Sequence, residues 1–294
     1  MEEIKGIYAA SLSILNENLA LDVENTIKHA ENVIDMGCHG AVFFGSTGQS
    51  QLISLSEKIQ LINRLPNSKY KENFIIGTGL NSLSENINLI KISKSLGFNK
   101  FLIMPPAYYK YGHEEVVNFY SRIVDEINEC KIILYNFEKL SGYLFSKECV
   151  EKLVNKFPEQ IIGIKDSSYN LYESLKLKKF SVMPGSESKL LKGLELGCSG
   201  IITATTNVTA SLAREVYDNF LNKIPQKSNQ KLCEVRNVFE NYNLISGLHT
   251  FMSLKNEIYK NILPPLKLLT KEESEKFFLN LKKLEFDIKK LKAA

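Results

Sequence analysis

Ile161-Ile162-Gly163-Ile164-Lys165-Asp166-Ser167-Ser168 is a β-branched run that ends in a lysine. A stretch that is apolar at consecutive positions, rather than at alternate ones, reads as a strand buried on both faces, as in a parallel sheet. A cation at the end of such a strand must pair, reach water or do chemistry. Two readings of Lys165 stand at this point. It snorkels to solvent beside Asp166, or its amine sits in a largely apolar pocket that disfavours the charged form. In the second case a neutral nucleophile becomes available near pH 7, suited to Schiff-base formation with a ketone or aldehyde.

The same kind of run recurs on both sides of this stretch. Residues 7–14, 41–44, 74–77, 101–104 and 131–135 precede it, and 180–183 and 200–205 follow it. Helical patterns lie between them at 22–36, 55–65, 84–96, 114–127 and 147–156, with a short one near 171 and another at 188–196. Asp22 caps the first, and Gly37 and Gly97 close two of them. Eight short apolar strands alternating with helices predict an α/β protein with a parallel sheet covered on both faces, and eight is the number that closes into a (β/α)8 barrel. The rival is an open doubly wound sheet, but its Gly-x-Gly-x-x-Gly fingerprint is absent after the first strand. A last barrel helix at 210–221 leads to a turn-rich joint, Lys223-Ile224-Pro225-Gln226-Lys227-Ser228-Asn229, and then to helical patterns near 231–244, 247–260 and 271–292. The organisation expected is a barrel over residues 1–223 and a C-terminal helical region over 224–294.

Composition narrows the class of partner. A chain of 294 residues suits a barrel of about 250 residues plus an appendage. Its net charge of +4 is carried by scattered basic residues, so nucleic acid is not expected as a partner. The five cysteines are odd in number and lack Cys-x-x-Cys spacing, which suits reduced thiols in the cytoplasm. Met1-Glu2-Glu3 opens no leader pattern and no 18-residue apolar run occurs, so neither export nor a membrane span is expected. His29, His39, His113 and His249 show no metal-ligand spacing, and no metal is expected.

Barrels of this kind carry their reactive groups at the carboxyl ends of the strands. Those ends are polar here: Gly45-Ser46-Thr47-Gly48 after the second strand, Tyr108-Tyr109 after the fourth, Tyr135-Asn136, Lys165-Asp166, and Thr205-Thr206-Asn207. The Gly45 to Gly48 turn either grips a carboxylate through its N–H groups and the Ser46 and Thr47 hydroxyls, or is a plain βα turn. Tyr135 either relays protons or is an amphipathic strand-end tyrosine. Asp166 points to the opposite face from Lys165 and reads as structural.

The ordered set Gly45-Ser46-Thr47-Gly48-Gln49, Ser54-Leu55-Ser56-Glu57-Lys58, Tyr135-Asn136, Gly163-Ile164-Lys165-Asp166, Gly200-Ile201-Ile202 and Asn207 resembles the dihydrodipicolinate synthase/N-acetylneuraminate lyase superfamily. The resemblance implies a class I, Schiff-base-forming aldolase with no cofactor beyond the imine on Lys165. It implies that Tyr135 shuttles protons, that Thr47 helps bind the 2-oxo acid carboxylate, and that Ser46 links Tyr135 to a second tyrosine. Tyr109 matches that tyrosine, which reaches across a tight dimer within a homotetramer. Gly48, Ser167, Gly185, Glu187 and Ile202 are the further substrate-binding positions it implies.

Several departures bear on the substrate. Leu140 stands where dihydrodipicolinate synthases carry an arginine for their second substrate's carboxylate, and Glu138 where proline is common. Glu187-Ser188 half matches a sugar-binding acidic pair, and Ala204 replaces a usual serine. The reading is a lyase or aldolase that makes or cleaves a carbon–carbon bond of a 2-oxo acid. Pyruvate is one half, an aldehyde or sugar acid the other, as in N-acetylneuraminate lyase or 2-keto-3-deoxygluconate aldolases. The alternatives are dihydrodipicolinate synthase, a decarboxylating dehydratase, or a non-catalytic 2-oxo-acid-binding barrel.

Overall fold

The apolar runs become eight parallel strands, seen in a computed structural model that describes residues 3–127 and 129–287. They are β1 (Gly6–Ala10), β2 (Gly40–Phe43), β3 (Phe74–Gly77), β4 (Lys100–Ile103), β5 (Lys131–Asn136), β6 (Ile161–Asp166), β7 (Ser181–Pro184) and β8 (Gly200–Thr203). Each strand pairs with its sequence neighbour from β1 to β7, and β8 returns to pair with β1. The Ser199 N–H donates to the Val182 carbonyl at 3.0 Å and draws the run-in of β8 against β7. The result is the expected (β/α)8 barrel, nearly closed.

Helices α1 (Val23–Asp35), α2 (Leu55–Arg64), α3 (Leu83–Ser95), α4 (His113–Glu126), α5 (Glu138–Ser141), α6 (Lys147–Lys156), α7 (Leu190–Glu195) and α8 (Thr206–Leu221) surround the strands. Their starts follow from local chemistry. Asp22 accepts from the Asn25 N–H to cap α1, and Ser54 and Glu57 form a reciprocal capping box on α2. Because the strands are buried on both faces, one core layer lies between sheet and helices, and a second fills the barrel. The inner layer holds Val42, Ile75, Ile133, Ile162, Met183 and Ile202, so the barrel is plugged beneath its mouth.

Beyond the joint come α9 (Asn229–Glu240), α10 (Leu244–Met252), a 3-10 turn at Glu257–Lys260 and α11 (Lys271–Lys283). Two long expected helices are thus shorter or broken. The Asn243 side chain accepts from the Ile245 and Ser246 N–H groups, which starts α10 at Leu244, and the Asn256 side chain caps the 3-10 turn. The tail helix stops at Lys283, and the last positions of its expected range lie outside the described residues. Residues 224–287 share a core with the barrel: Leu12, Ile14, Ala204 and Val208 pack with Val235, Phe239, Phe251 and Phe277. The joint is a turn in the chain, while the apolar packing runs across it. Among the described residues no helix is long and apolar enough to cross a membrane.

Candidate active site

Parallel register places the reactive side chains next to one another. Tyr135 on β5 pairs with Lys165 on β6, and Lys165 pairs with Met183 on β7. Lys165 is only 3% exposed, and its Nζ lies 4.2 Å from the centroid of the Tyr135 ring. The amine thus lies over the ring face, in the placement of a cation–π contact. The Tyr135 hydroxyl is 2.9 Å from Ser46 Oγ. Ser46 opens a 3-10 turn, Ser46–Gly48, directly beyond β2. Amine, phenol and hydroxyl therefore form one contiguous set at the carboxyl ends of three strands, with Thr47 buried beside them.

The turn that carries Ser46 and Thr47 is held from both sides. A Cβ at Gly48 would lie 2.8 Å from the Ser11 carbonyl oxygen, so only glycine lets the turn pack this closely on β1. The Gly48 carbonyl accepts from Ser13 Oγ at 2.7 Å. Gln49 follows with φ of 55°, and its side-chain oxygen accepts from the Leu263 N–H at 2.8 Å. Its amide donates to His249 Nε2 at 3.4 Å, while His249 Nδ1 donates to the Tyr259 carbonyl at 2.8 Å.

Asp166 faces away from the mouth, as the alternation of a strand requires. Its carboxylate accepts from the Tyr169, Leu171 and Tyr172 N–H groups, each at 2.9 Å, and from Asn136 Nδ2 at 2.8 Å. Burial raises its pKa, and the amide donors of Leu171 and Tyr172 oppose that rise. This explains why no helix forms near 171. Three amides within four residues, those of Tyr169, Leu171 and Tyr172, are claimed by one carboxylate, so residues 170–174 stay a turn wrapped on the end of β6.

Lys165, Tyr135, Ser46 and Thr47 open into a cavity of about 800 Å³. Phe137 and Leu140 line one side, and Ser167, Gly185 and Ala204 another. Ser167 and Gly185 touch so closely that a Cβ on Gly185 would collide with the Ser167 hydroxyl. Three of the expected substrate-binding positions are placed elsewhere. The Gly48 carbonyl is taken by Ser13, and Ile202 belongs to the inner plug of the barrel. Glu187 is fully buried behind the wall: Oε2 accepts from Thr203 Oγ1 at 2.8 Å and Arg236 Nη1 at 3.0 Å, and Oε1 accepts from Thr209 Oγ1 at 3.3 Å. None of these three lines the cavity, and the atoms named contact the protein itself.

Tyr109 lies apart from the set. It is 73% exposed on the loop after β4, its ring edge-on to Tyr108 at 5.1 Å. A smaller cavity of about 180 Å³ flanks the Ser46–Tyr135 pair on the side of Met104 and Ala107.

The outer wall of the large cavity comes from α9 and α10, through Arg236, Glu240, Asn243 and Leu244. Sequence reasoning missed Arg236. An i,i+4 Arg–Glu pair on a helix resembles a solvated face. The overlooked signal is that Arg236 falls on the buried stripe with Leu232, Val235 and Phe239, where a cation needs a partner.

A model of the dihydrodipicolinate synthetase family matches residues 3–284. The chain belongs to this family. Among its relatives, the 4-hydroxy-tetrahydrodipicolinate synthase of Karelsulcia muelleri is 27% identical over 95% of this chain and 97% of that one. The N-acetylneuraminate lyase of Actinobacillus pleuropneumoniae is 28% identical over 74% of this chain and 76% of its own length. A prophage protein of the dihydrodipicolinic acid synthase family from E. coli K12, solved in complex with pyruvate, shares the fold. Its TM-score is 0.87 at 21% identity, over 96% of this chain and 99% of that one. The protein is thus a lyase of the dihydrodipicolinate synthetase family, and its relatives divide over the substrate.

Proposed function

We propose that the protein is a pyruvate-dependent class I aldolase whose second half is a hydroxylated aldehyde, most like N-acetylneuraminate lyase or 2-keto-3-deoxygluconate aldolases. The contact chain Lys165–Tyr135–Ser46 carries the proposal. In the cleavage direction the neutral Lys165 amine adds to the ketone carbon of the 2-oxo acid. Tyr135 hands on the protons as water leaves, and an iminium forms on Lys165. Tyr135 then takes the proton of the hydroxyl two carbons away from the iminium. The bond between the two carbons breaks, its electron pair moves into the iminium to give an enamine, and the aldehyde departs. Protonation of the enamine and hydrolysis release pyruvate and restore the amine. Thr47 and the N–H groups of its turn hold the carboxylate throughout. No cofactor other than the imine is needed.

In this reading Tyr109 extends the Ser46–Tyr135 relay across a tight dimer, and two such dimers make a tetramer. The exposure of Tyr109 supports that role. The five free cysteines, four of them buried, suit the cytoplasm. A second reading, 4-hydroxy-tetrahydrodipicolinate synthase, is favoured by the relative that matches almost the whole chain. Against it stands Leu140, an apolar side chain at the rim of the cavity where a second carboxylate would need a cation. Borohydride reduction in the presence of pyruvate, followed by peptide mass analysis, tests the proposal. A pyruvyl adduct on Lys165 is the expected result, and its absence from folded protein would overturn the mechanism.

A further inference from the structure

Arg236 is 4% exposed, yet it lines the cavity. Its Nε donates to Glu240 Oε1 at 2.7 Å, and Nη1 donates to Glu187 Oε2 and Thr203 Oγ1 at 3.0 Å and to Thr205 Oγ1 at 3.2 Å. Nη2 is left without a protein partner among the described residues. Nη2 is not among the fully buried polar atoms that lack a partner, so its N–H groups are open to the cavity and can donate to water or a ligand there. We infer that Arg236 is a specificity-determining residue that selects an aldehyde half bearing neutral hydroxyls over one bearing a carboxylate. The inference rests on the aldolase reading above.

Charge decides between the two ligand classes. One guanidinium faces two carboxylates, Glu187 and Glu240, so its charge is already more than balanced. At the rim, Glu138 and Lys139 offset each other. An incoming carboxylate would find a spent cation and a neighbouring anion, and such a placement is repulsive in an enclosed site. A hydroxyl finds what it needs, since it accepts from Nη2 and donates to the second oxygen of Glu240, which also lines the cavity. The position is right for the distal half of a substrate. Arg236 is anchored at the ends of β7 and β8, away from the turn after β2 that carries Ser46 and Thr47.

The test measures condensation of pyruvate with D-glyceraldehyde, N-acetylmannosamine, succinic semialdehyde and propanal, the last as a control without hydroxyl or carboxylate. Wild type is compared with Arg236→Met and with Arg236→Met/Glu187→Gln, the latter leaving no buried carboxylate unpaired. The double variant should lose roughly tenfold or more in kcat/KM toward the hydroxylated aldehyde that wild type prefers, mainly through KM, a loss about fivefold or more larger than any it shows with propanal. Trapping of pyruvate on Lys165 should be unchanged. Equal losses on every aldehyde, no loss on any, or a wild-type preference for succinic semialdehyde would overturn the inference while trapping stays intact. Failure of trapping in wild type would instead overturn the aldolase reading on which it depends.

Discussion

The floor and the outer wall of the cavity are built in opposite ways. On the floor, Lys165, Tyr135 and Ser46 stand at the ends of strands, and the register of a parallel sheet sets their spacing. On the wall, Arg236 and Glu240 ride on a helix beyond the barrel, positioned by ion pairs and hydroxyls instead of a ladder. On the proposed aldolase reading, the floor meets the part of the substrate that reacts, and the wall meets the part that varies. A change on the floor should therefore abolish chemistry at little cost in stability, whereas a change on the wall should disturb stability and substrate choice together.

Four measurements press on that contrast. On the floor, Lys165→Ala should lower kcat by about 10⁴-fold or more while unfolding stays within roughly 1 kcal/mol of wild type, because no ion pair is lost. Residual normal turnover would remove Lys165 from the chemistry. On the wall, Arg236→Met alone strands the Glu187 carboxylate in a buried site and should destabilise by about 3–5 kcal/mol in urea unfolding. Adding Glu187→Gln should recover most of that loss, and failure to recover would show that the pair is not what holds the wall. Returning to the floor, Tyr135→Phe should slow turnover by about 10²- to 10³-fold, and Tyr109→Phe by less, because the proposed relay puts Tyr135 at the substrate and Tyr109 beyond Ser46. The reverse order would refute the relay.

The smallest effect concerns the seam between barrel and appendage. His29 donates through Nε2 to Asn207 Oδ1 at 2.7 Å and accepts from the Tyr259 hydroxyl at 2.8 Å, so both it and His249 are held neutral. Burial lowers each pKa to about 4 from an ordinary 6.5. The unfolded chain therefore takes up protons between pH 6.5 and 4 that the folded chain refuses. Stability is full above about 6.5 and falls as the pH drops toward 4. Between pH 7.5 and 5 each histidine should account for about 2 kcal/mol of loss. A His249→Gln variant should lose about that much less than wild type over the same interval, and an identical pH profile would detach the seam from histidine titration.

Much of the barrel was legible from the chain because a strand buried on both faces writes itself as consecutive apolar residues. Lys131–Asn136 and Ile161–Asp166 are examples, and the cap chemistry of Asp22 and Ser54 marked where helices begin. The floor residues were legible for the same reason, since they are the polar letters that end those runs. What escaped depends on atoms far apart in the chain. The turn at 170–174 carries a helix-compatible pattern, and what diverts its Leu171 and Tyr172 amides is the Asp166 carboxylate. Glu187 reads as a group facing the mouth until Arg236, forty-nine positions later, is seen to claim it. The buried stripe of its helix marks Arg236 as a cation in need of a partner but does not say which, so the wall of the cavity stayed hidden while its floor did not.

Gln49 adds a point about order in time. A polypeptide is made from its amino end, and Ser46 and Thr47 emerge early, yet the turn they belong to is braced through Gln49 by His249 and by the backbone of Leu263. A nascent chain can lay down all eight strands and still lack that brace. The mouth is finished only when about nine-tenths of the protein, through Leu263, has been synthesised and has docked, so a shorter chain holds Lys165 without a completed grip for the carboxylate of the 2-oxo acid whose ketone carbon Lys165 is proposed to attack.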